Sequence, residues 1–295
     1  MRVPTGIPGL DELIEGGIRA NTVTVIVGAS GTGKTTFVMQ FVLHGLENGE
    51  QGLYISLEEK PEQLIEEAKL MGWDLRKYVD KSLYFYFAAG SDFKDLVESD
   101  LPQLVESRTD YEVPTRVVID PLTPFIWEVS DKRDQRLLIS NLFGLLKKVG
   151  PVICSVEEHL RPGETIGEDV LIPIYLADGV LHLQYQPIGG AFNRTLEIMK
   201  MRGTRHGEEV YPFMMARGVG VIVRSSTLSE RVAETIKGTE DYEETFQRAI
   251  QTAVNLKAPE NLIRKLKIMQ ENWMYEYSPE EALRVLFRYY NLHVG

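Results

Sequence analysis

The chain has 295 residues, of which 32 are lysine or arginine and 43 are aspartate or glutamate, giving a formal net charge of -11. This acidic balance argues against broad electrostatic attraction to nucleic acid or to anionic membranes. We find no apolar run long enough to cross a membrane and no signal-peptide pattern at the N-terminus, and the single cysteine, Cys154, fits a reducing cytoplasm.

Short β-branched runs alternate with helix-length amphipathic segments between residues 21 and 223. Strands are predicted at 22–27, 52–57, 82–87, 115–120 and 151–156, and four more at 179–185, 194–201, 211–216 and 219–223. Helices are predicted from the glycine-rich loop to about 46, after 60, around 96–105 and over about 132–148, whereas 157–174 is predicted to be a loop. This order predicts an α/β fold with a mostly parallel sheet, helices on both faces and antiparallel strands at one edge.

The texture of the sequence changes near residue 225, after which only helical patterns remain. Thr239 or Asp241 is expected to cap the first of these helices, and Pro259 suits the first turn of the next. Ser278 opens a capping box before the last helix. We therefore predict two domains, 1–225 and a small all-helical domain at 226–295, whose aromatic residues are expected to form its own core.

The segment GASGTGKT, residues 28–35, follows a predicted strand and precedes a predicted helix. It matches the phosphate-binding pattern G-x-x-x-x-G-K-[ST], in which backbone N–H groups and a helix N-terminus surround phosphates. Lys34 is predicted to contact the β- and γ-phosphates of a nucleotide, and Thr35 is predicted to ligate Mg²⁺. The predicted nucleotide-binding residues are Gly28, Ala29, Ser30, Gly31, Thr32, Gly33, Lys34, Thr35 and Thr36.

Acidic residues follow two other predicted strands. Asp120 ends the apolar strand RVVID and is predicted to hold Mg²⁺, partly through water. Glu58 and Glu59 follow the strand GLYISL, and hydrolysis needs a group that orients or deprotonates the attacking water. Ligands lie beyond the carboxyl ends of the strands in an open parallel sheet, so these acids are expected in the crevice of Lys34. From the residues alone, a solvated acidic cap before Pro61 is an equal alternative for the glutamate pair.

These pieces occur in an order that resembles the KaiC-like branch of RecA-type ATPases. The resemblance covers about residues 3–223 and includes TGIPGLDELIEGGI, the glycine loop, LEEKPEQ, GWDL, RVVIDPLTPF and RTLEIMKMRGTRH. It implies a RecA-like P-loop core that assembles into a ring, a hexamer in the family, with ATP and Mg²⁺ between neighbouring subunits. It also implies that Glu58 and Glu59 are the catalytic acid pair, with Glu58 as the principal base, and that Asp120 is the Walker B acid.

The block RTLEIMKMRGTRH carries four potential cations within residues 200–206, and generic P-loop proteins do not have it. By position, Lys200, Arg202, Thr204 and His206 match family residues that reach the nucleotide of the adjacent subunit. Arg194 matches a residue near the base and ribose of that nucleotide. Without the resemblance, the ordinary interpretation would be a strand edge that carries charges against aggregation. The resemblance thus implies a cytoplasmic, ring-forming, Mg²⁺-dependent ATPase with a regulatory or signalling role.

One departure from the family concerns phosphorylation. Family members with two ATPase repeats carry a Ser-Thr phosphoacceptor pair just before the strand that precedes the KMRG block. The matching positions here are Ile174 and Tyr175. This difference argues against a Ser/Thr autokinase activity. The resemblance also ends near residue 225, so it says nothing about the helical tail.

Two other functions are open at this point. A DNA recombination or repair ATPase of the RecA/RadA kind would read single strands through basic loops, but residues 151–178 hold six acids and one arginine. A binding titration at several salt concentrations separates this alternative from a KaiC-like ATPase. The other alternative is an ATP-gated binding module, in which nucleotide orders a surface for a protein partner on the C-terminal helices and turnover is incidental.

Overall fold

The structure is a computed structural model that describes residues 1–88, 93–106, 115–160, 166–188, 191–224, 242–273 and 279–292. The strands are β1 (Arg2–Val3), β2 (Ile18–Arg19), β3 (Val23–Gly28), β4 (Gln51–Ser56), β5 (Leu83–Phe87), β6 (Thr115–Asp120), β7 (Val152–Glu157), β8 (Gly179–Ile188), β9 (Ala191–Met201), β10 (Val210–Ala216) and β11 (Gly220–Val223). The helices are α1 (Leu10–Leu13), α2 (Lys34–Glu47), α3 (Pro61–Leu70), α4 (Phe93–Asp95), α5 (Leu101–Glu106), α6 (Thr123–Glu128), α7 (Lys132–Leu146), α8 (Leu171–Leu176), α9 (Tyr242–Asn255), α10 (Glu260–Glu271) and α11 (Glu280–Tyr289). A π-helical turn at Leu96–Asp100 joins α4 to α5, and a 3-10 turn at Glu168–Val170 precedes α8.

Nine strands form one mixed sheet in the order β11-β10-β9-β8-β3-β7-β6-β4-β5. The six strands from β8 to β5 are parallel, whereas β9, β10 and β11 add antiparallel pairs at one edge. This confirms the predicted mostly parallel sheet with an antiparallel edge. The carboxyl ends of β3, β4, β6 and β7 meet at one edge of the sheet, which is the place where ligands bind in open α/β folds.

Alternating residues of the strands contribute to two hydrophobic cores, one on each face of the sheet. On one face, Ile26 and Tyr54 pack with apolar residues of α2 and α3. On the other face, Val25 and Ile55 pack with residues of α5, α6 and α7. Every residue of β3 is buried, so the loop that follows Gly28 starts from a strand packed on both faces at the centre of the sheet.

The C-terminal helices pack against the antiparallel end of the sheet. A third cluster joins Ile222 of β11 to Phe246 of α9 and Leu286 of α11, all almost fully buried. An ion pair between Arg224 and Glu281 lies beside this cluster. The tail aromatic Phe246 is therefore core, as expected, but this core is shared with the sheet. The predicted boundary near 225 and the caps at Thr239, Asp241 and Ser278 lie outside the described residues, so the division into 1–225 and 226–295 stays a prediction.

Several parts of the secondary structure differ from the sequence prediction, among them the helices α1 and α6, which were not predicted. The loop predicted over 157–174 is wrong from Leu171 onward, where α8 begins. The loop prediction rested on the mixture of proline, glycine and acidic residues, but Pro173 stands in the first turn of α8, where no intrahelical N–H bond is lost, and its carbonyl accepts from Ala177 N at 2.9 Å. The short pair β1–β2 was also not predicted, since two-residue strands are too short for an alternating pattern.

Among the described residues, we find no helix with both the length and the apolar character that crossing a bilayer requires.

The docking of the tail predicts a large effect at a residue of the sheet. Ile222 is 0% exposed because the C-terminal helices cover it. We expect Ile222→Ala to lower the free energy of unfolding by about 2–5 kcal/mol, the usual cost of such a cavity. Val254→Ala on α9, at a side chain that is 49% exposed, should change it by less than about 0.5 kcal/mol. Urea unfolding of both variants measures this, and a near-neutral Ile222→Ala would show that the tail does not pack on β11.

Candidate nucleotide-binding site

The loop between β3 and α2 has the backbone conformation that a phosphate cradle requires. Gly31 and Gly33 have φ angles of +78° and +108°, a left-handed region that other residues rarely adopt. Between them Thr32 turns inward, is 0% exposed and donates its hydroxyl to Ala29 O at 2.8 Å. Helix α2 then begins at Lys34, so its first N–H groups face the loop. The segment thus forms an anion-binding helix N-terminus.

A cavity of about 320 Å³ opens beside this helix N-terminus. It is lined by Ser30, Gly31, Gly33, Lys34, Thr35, Thr36, Glu58, Glu59, Leu64, Asp120, Pro121, Ser155, Glu157 and Met215. The structure therefore brings the predicted Lys34, Thr35 and Asp120 together with both predicted glutamates. Gly28, Ala29 and Thr32 form the backbone of the same loop.

Lys34 lies folded against its own loop. Its Nζ donates to the carbonyl oxygens of Gly28 at 2.9 Å and Ala29 at 3.0 Å. Burial lowers the pKa of Lys34, although the negative charges of Glu157 and Asp120 oppose that shift. The ammonium group is thus held at the cradle by neutral carbonyl groups, and a phosphate anion is a stronger partner for it than a carbonyl is.

Asp120 is held from both neighbouring strands. The carboxylate is 4% exposed; its Oδ2 accepts from the hydroxyl of Tyr54 on β4 at 2.5 Å, and its Oδ1 accepts from Ser155 Oγ on β7. Burial and the charge of Asp120 raise the pKa of Tyr54 well above its usual value, so the phenol stays protonated and donates. Sequence reasoning missed Tyr54 and Ser155, because their role depends on which strands flank β6.

Glu58 and Glu59 lie in the turn after β4, which is stabilised by hydrogen bonds between the Ser56 side chain and the backbone of Glu59. Ser56 Oγ donates to Glu59 O at 2.6 Å and accepts from Glu59 N at 3.2 Å. The pKa of Glu58 is raised by burial and then by the negative charges of Glu157 and Asp120. Burial, followed by the charge of Glu67, raises the pKa of Glu59, whose Oε2 is buried with no hydrogen-bond partner among the described residues. Both acids line the crevice of Lys34, as expected.

Two adjacent glutamates at the end of β7 have different environments. Glu157 lines the cavity, whereas Glu158 forms a buried pair with His182 of β8, with Oε2 and Nε2 2.8 Å apart. Glu158 Oε1 accepts from Gly167 N at 2.9 Å, and Glu158 N donates to Gly28 O at 3.1 Å. Successive strand residues point to opposite faces, which explains the split. The pair ties the segment after β7 to the phosphate loop, and no spacing in the sequence signals it.

The predicted trans-acting cations lie far from the cradle of their own chain. Arg202 N donates to Asp178 O, and Asp178 N donates to Val23 O, so Arg202 is level with the start of β3. The cradle begins at Gly28, five residues further along β3, or roughly 16 Å at the rise of a strand. Arg202 Nη2 donates to Tyr175 O at 3.4 Å and Lys200 Nζ donates to Ile174 O at 3.0 Å. These side chains therefore do not contribute to the nucleotide site of their own subunit in this arrangement.

The remaining predicted interface residues fall into two groups. Thr204 Oγ1 accepts from Arg2 at 2.6 Å, and His206 Nδ1 lies 2.9 Å from the carbonyl oxygen of Gly207. Arg194 lies at the other end of β9, where its guanidinium is 5.1 Å from the ring centre of Tyr185. Tyr185 in turn donates its hydroxyl to Gly31 O at 2.8 Å. The predicted interface residues thus extend from the end of β9 that lies near the phosphate loop to the segment that follows its other end.

Comparison with known proteins places the chain in a family. The family model described as "ATPase: KaiC" matches residues 3–227. The chain belongs to the KaiC family of ATPases. It is therefore an ATP-binding protein of the RecA type, as the sequence resemblance implied.

Individual relatives agree with this family assignment. A UPF0273 protein of Pyrococcus furiosus is 33% identical over 248 residues, which cover 78% of this chain and 96% of that protein. The circadian clock oscillator protein KaiC of Prochlorococcus marinus is 34% identical over 230 residues, 75% of this chain but 45% of that protein, so the match spans less than half of this relative. The crystal structure of a KaiC-like protein from Pyrococcus horikoshii superimposes with a TM-score of 0.63 at 32% identity, covering 76% of this chain and 98% of the other.

Proposed function

We propose that this protein hydrolyses ATP with Mg²⁺ in a cytoplasmic ring, with each nucleotide between two subunits, and that turnover serves a regulatory or signalling role. The observation that carries the proposal is the convergence of Lys34, Thr35, Asp120 and Glu58 on one cavity at the N-terminus of α2. A phosphate cradle, oxygen ligands and an acid with a raised pKa are the components that phosphoryl transfer to water requires.

The donor set in this cavity fits Mg²⁺. Thr35 and Asp120 line the same cavity, and a hydroxyl and a carboxylate are hard oxygen ligands of the kind that Mg²⁺ prefers. Mg²⁺, when bound, neutralises part of the triphosphate charge. The residues of the chain that would hold it are Thr35 directly and Asp120, in part through water.

The other side chains of the cavity have separate tasks in hydrolysis. Lys34 exchanges the carbonyls of Gly28 and Ala29 for phosphate oxygens and stabilises the charge that develops there. Glu58 takes a proton from the attacking water, and its raised pKa brings its basicity closer to neutral pH. Glu59, whose backbone is held by Ser56 Oγ, orients the water from the same turn.

The ring completes the site from a neighbouring subunit. Lys200 and Arg202 lie level with the amino ends of the parallel strands, whereas the cradle of their own chain lies at the carboxyl ends. They can therefore contact a nucleotide only if it is bound by another copy. Thr204 and His206, which follow β9, are proposed to complete that surface, and Arg194, at the other end of β9 beside Tyr185, is proposed to lie near the base and ribose of a neighbour's nucleotide. Ile174 and Tyr175 stand beside Lys200, and neither is Ser or Thr, which supports hydrolysis rather than Ser/Thr autophosphorylation.

The proposal is tested by sizing the purified protein with and without Mg·ATP while phosphate release is measured. We expect a ring in the presence of Mg·ATP and phosphate release that depends on both ATP and Mg²⁺, because Thr35 and Asp120 need the metal to act. ATP with EDTA and Mg²⁺ without nucleotide are the controls. A monomer under every condition would contradict the ring, and phosphate release that is unaffected by EDTA would contradict the metal-dependent mechanism.

A further inference from the structure

Asp120 is fixed by two hydroxyl groups that come from the strands on either side of it. We propose that Tyr54 and Ser155 are positioning residues that hold the Asp120 carboxylate in the orientation that binds Mg²⁺ in this cavity. This inference rests on the proposed Mg²⁺-dependent hydrolysis and adds two residues to it. Neither of them is needed to build the phosphate loop, so their effect on the metal is separable from nucleotide binding.

The register of the sheet explains why these two residues meet Asp120. Strand β6 runs parallel between β4 and β7, with Ser56 paired to Asp120 and Cys154 paired to Ile119. Tyr54 lies two residues before Ser56, so its side chain points to the same face, and its long ring brings the hydroxyl level with Asp120. The short side chain of Ser155 lies beside the carboxylate on the next strand. One hydroxyl therefore approaches each carboxylate oxygen.

Burial makes the two hydrogen bonds effective. Tyr54 is 1% exposed and does not line the cavity, so water is not at hand to replace its hydrogen bond, and Ser155, which lines the cavity, is itself 0% exposed. A buried hydroxyl that loses its acceptor, or a buried carboxylate that loses its donor, keeps its desolvation cost without a compensating hydrogen bond. The rotation of the Asp120 carboxylate about its side-chain bonds is thereby restrained from both sides.

The same hydrogen bonds leave lone pairs available for a cation. Each carboxylate oxygen carries two acceptor sites, and a single hydroxyl occupies one of them. Asp120 lines the same cavity as Thr35, so its remaining acceptor sites are available to a metal held there. Because Mg²⁺ demands near-ideal octahedral geometry, a carboxylate of fixed orientation favours it over one that rotates.

Tyr54→Phe is the decisive variant because it removes one hydroxyl and keeps the ring in the core. We expect it to raise the Mg²⁺ concentration at half-maximal binding of a fluorescent ATP analogue by about 10–100-fold, the usual effect of losing an outer partner of a metal ligand. Affinity for the analogue in EDTA should stay that of the wild type, since Lys34 and the loop are unchanged. Ser155→Ala should shift the same midpoint in the same direction, and it decides the question if Tyr54→Phe does not fold.

The matched control is Tyr86→Phe. Tyr86 of β5 also donates to a carboxylate, Asp100 Oδ2 at 2.7 Å, but it does not line the cavity. Its substitution should leave the Mg²⁺ midpoint unchanged. A folded Tyr54→Phe protein with the wild-type midpoint would overturn the inference, even if it had lost thermal stability, since that result assigns the hydroxyl to the core alone. If the analogue binds to the wild type without any response to Mg²⁺, the proposed function and this inference fail together.

Discussion

Lys34→Ala should abolish ATP binding, whereas Glu58→Gln should keep binding and reduce hydrolysis by about 10²–10⁴-fold, the usual contribution of a general base. The two residues line the same cavity but act at different stages. Lys34 contacts phosphates in the ground state, while Glu58 acts only on the water. Binding of a fluorescent ATP analogue and release of phosphate, measured on the same preparations, separate the two effects.

Two exposed residues next to the acid pair supply matched controls. Lys60→Ala matches the lysine-to-alanine change, and Glu62→Gln matches the glutamate-to-glutamine change. Both residues follow the acid pair in the sequence, and neither side chain lines the cavity. Both proteins should bind and hydrolyse ATP as the wild type does. Equal affinity for the analogue in wild type and Lys34→Ala would refute the phosphate-cradle assignment. Undiminished hydrolysis by Glu58→Gln would transfer the role of base to another carboxylate, with Glu157 the first to test.

The sequence was sufficient for those parts of the site that depend on local spacing. The glycines around Lys34 need a particular backbone conformation, and a strand on one side and a helix on the other are visible as short patterns. Asp120 and Glu58 follow predicted strands directly, and parallel strands bring their carboxyl ends to one edge. A motif and the rule for open sheets together were enough to predict that Lys34, Thr35, Asp120, Glu58 and Glu59 share the cavity, whereas Ser155 and Glu157 were not predicted.

Parts of the site that depend on strand order could not be predicted in this way. Tyr54 lies in the middle of its strand and reads as an ordinary core residue, and Ser155 does the same on β7. Their meeting with Asp120 requires β4 and β7 to flank β6, which no local pattern states. The pair of Glu158 and His182 likewise joins the end of β7 to β8, two strands that lie on either side of β3 and are not paired with each other.

If Arg202 acts on the nucleotide of a neighbouring subunit, two inactive variants should restore activity when they are mixed. Glu58→Gln damages the site around a subunit's own loop, whereas Arg202→Ala damages only what that subunit offers next door. In a mixed ring, the intact loop of an Arg202→Ala subunit can face the intact cations of a Glu58→Gln subunit. Arginine fingers that act in trans contribute roughly 10³–10⁵ in rate elsewhere, so even a minority of restored interfaces should exceed either variant alone. Phosphate release should peak near equal proportions.

A second mixture tests whether the rescue reports the side of the interface. Lys34→Ala and Glu58→Gln both damage the cradle side, so every interface in their mixed rings has a defective cradle, and we expect no rescue. Subunit exchange must be shown independently for both mixtures, because preformed rings would conceal complementation. With exchange shown, a flat or additive curve of phosphate release for the mixture of Arg202→Ala and Glu58→Gln would mean that Arg202 acts only within its own chain. Its contacts with Tyr175 and the start of β3 would then be structural. A peak with that pair and none with the control pair would mean that Arg202 acts on the nucleotide of the neighbouring subunit.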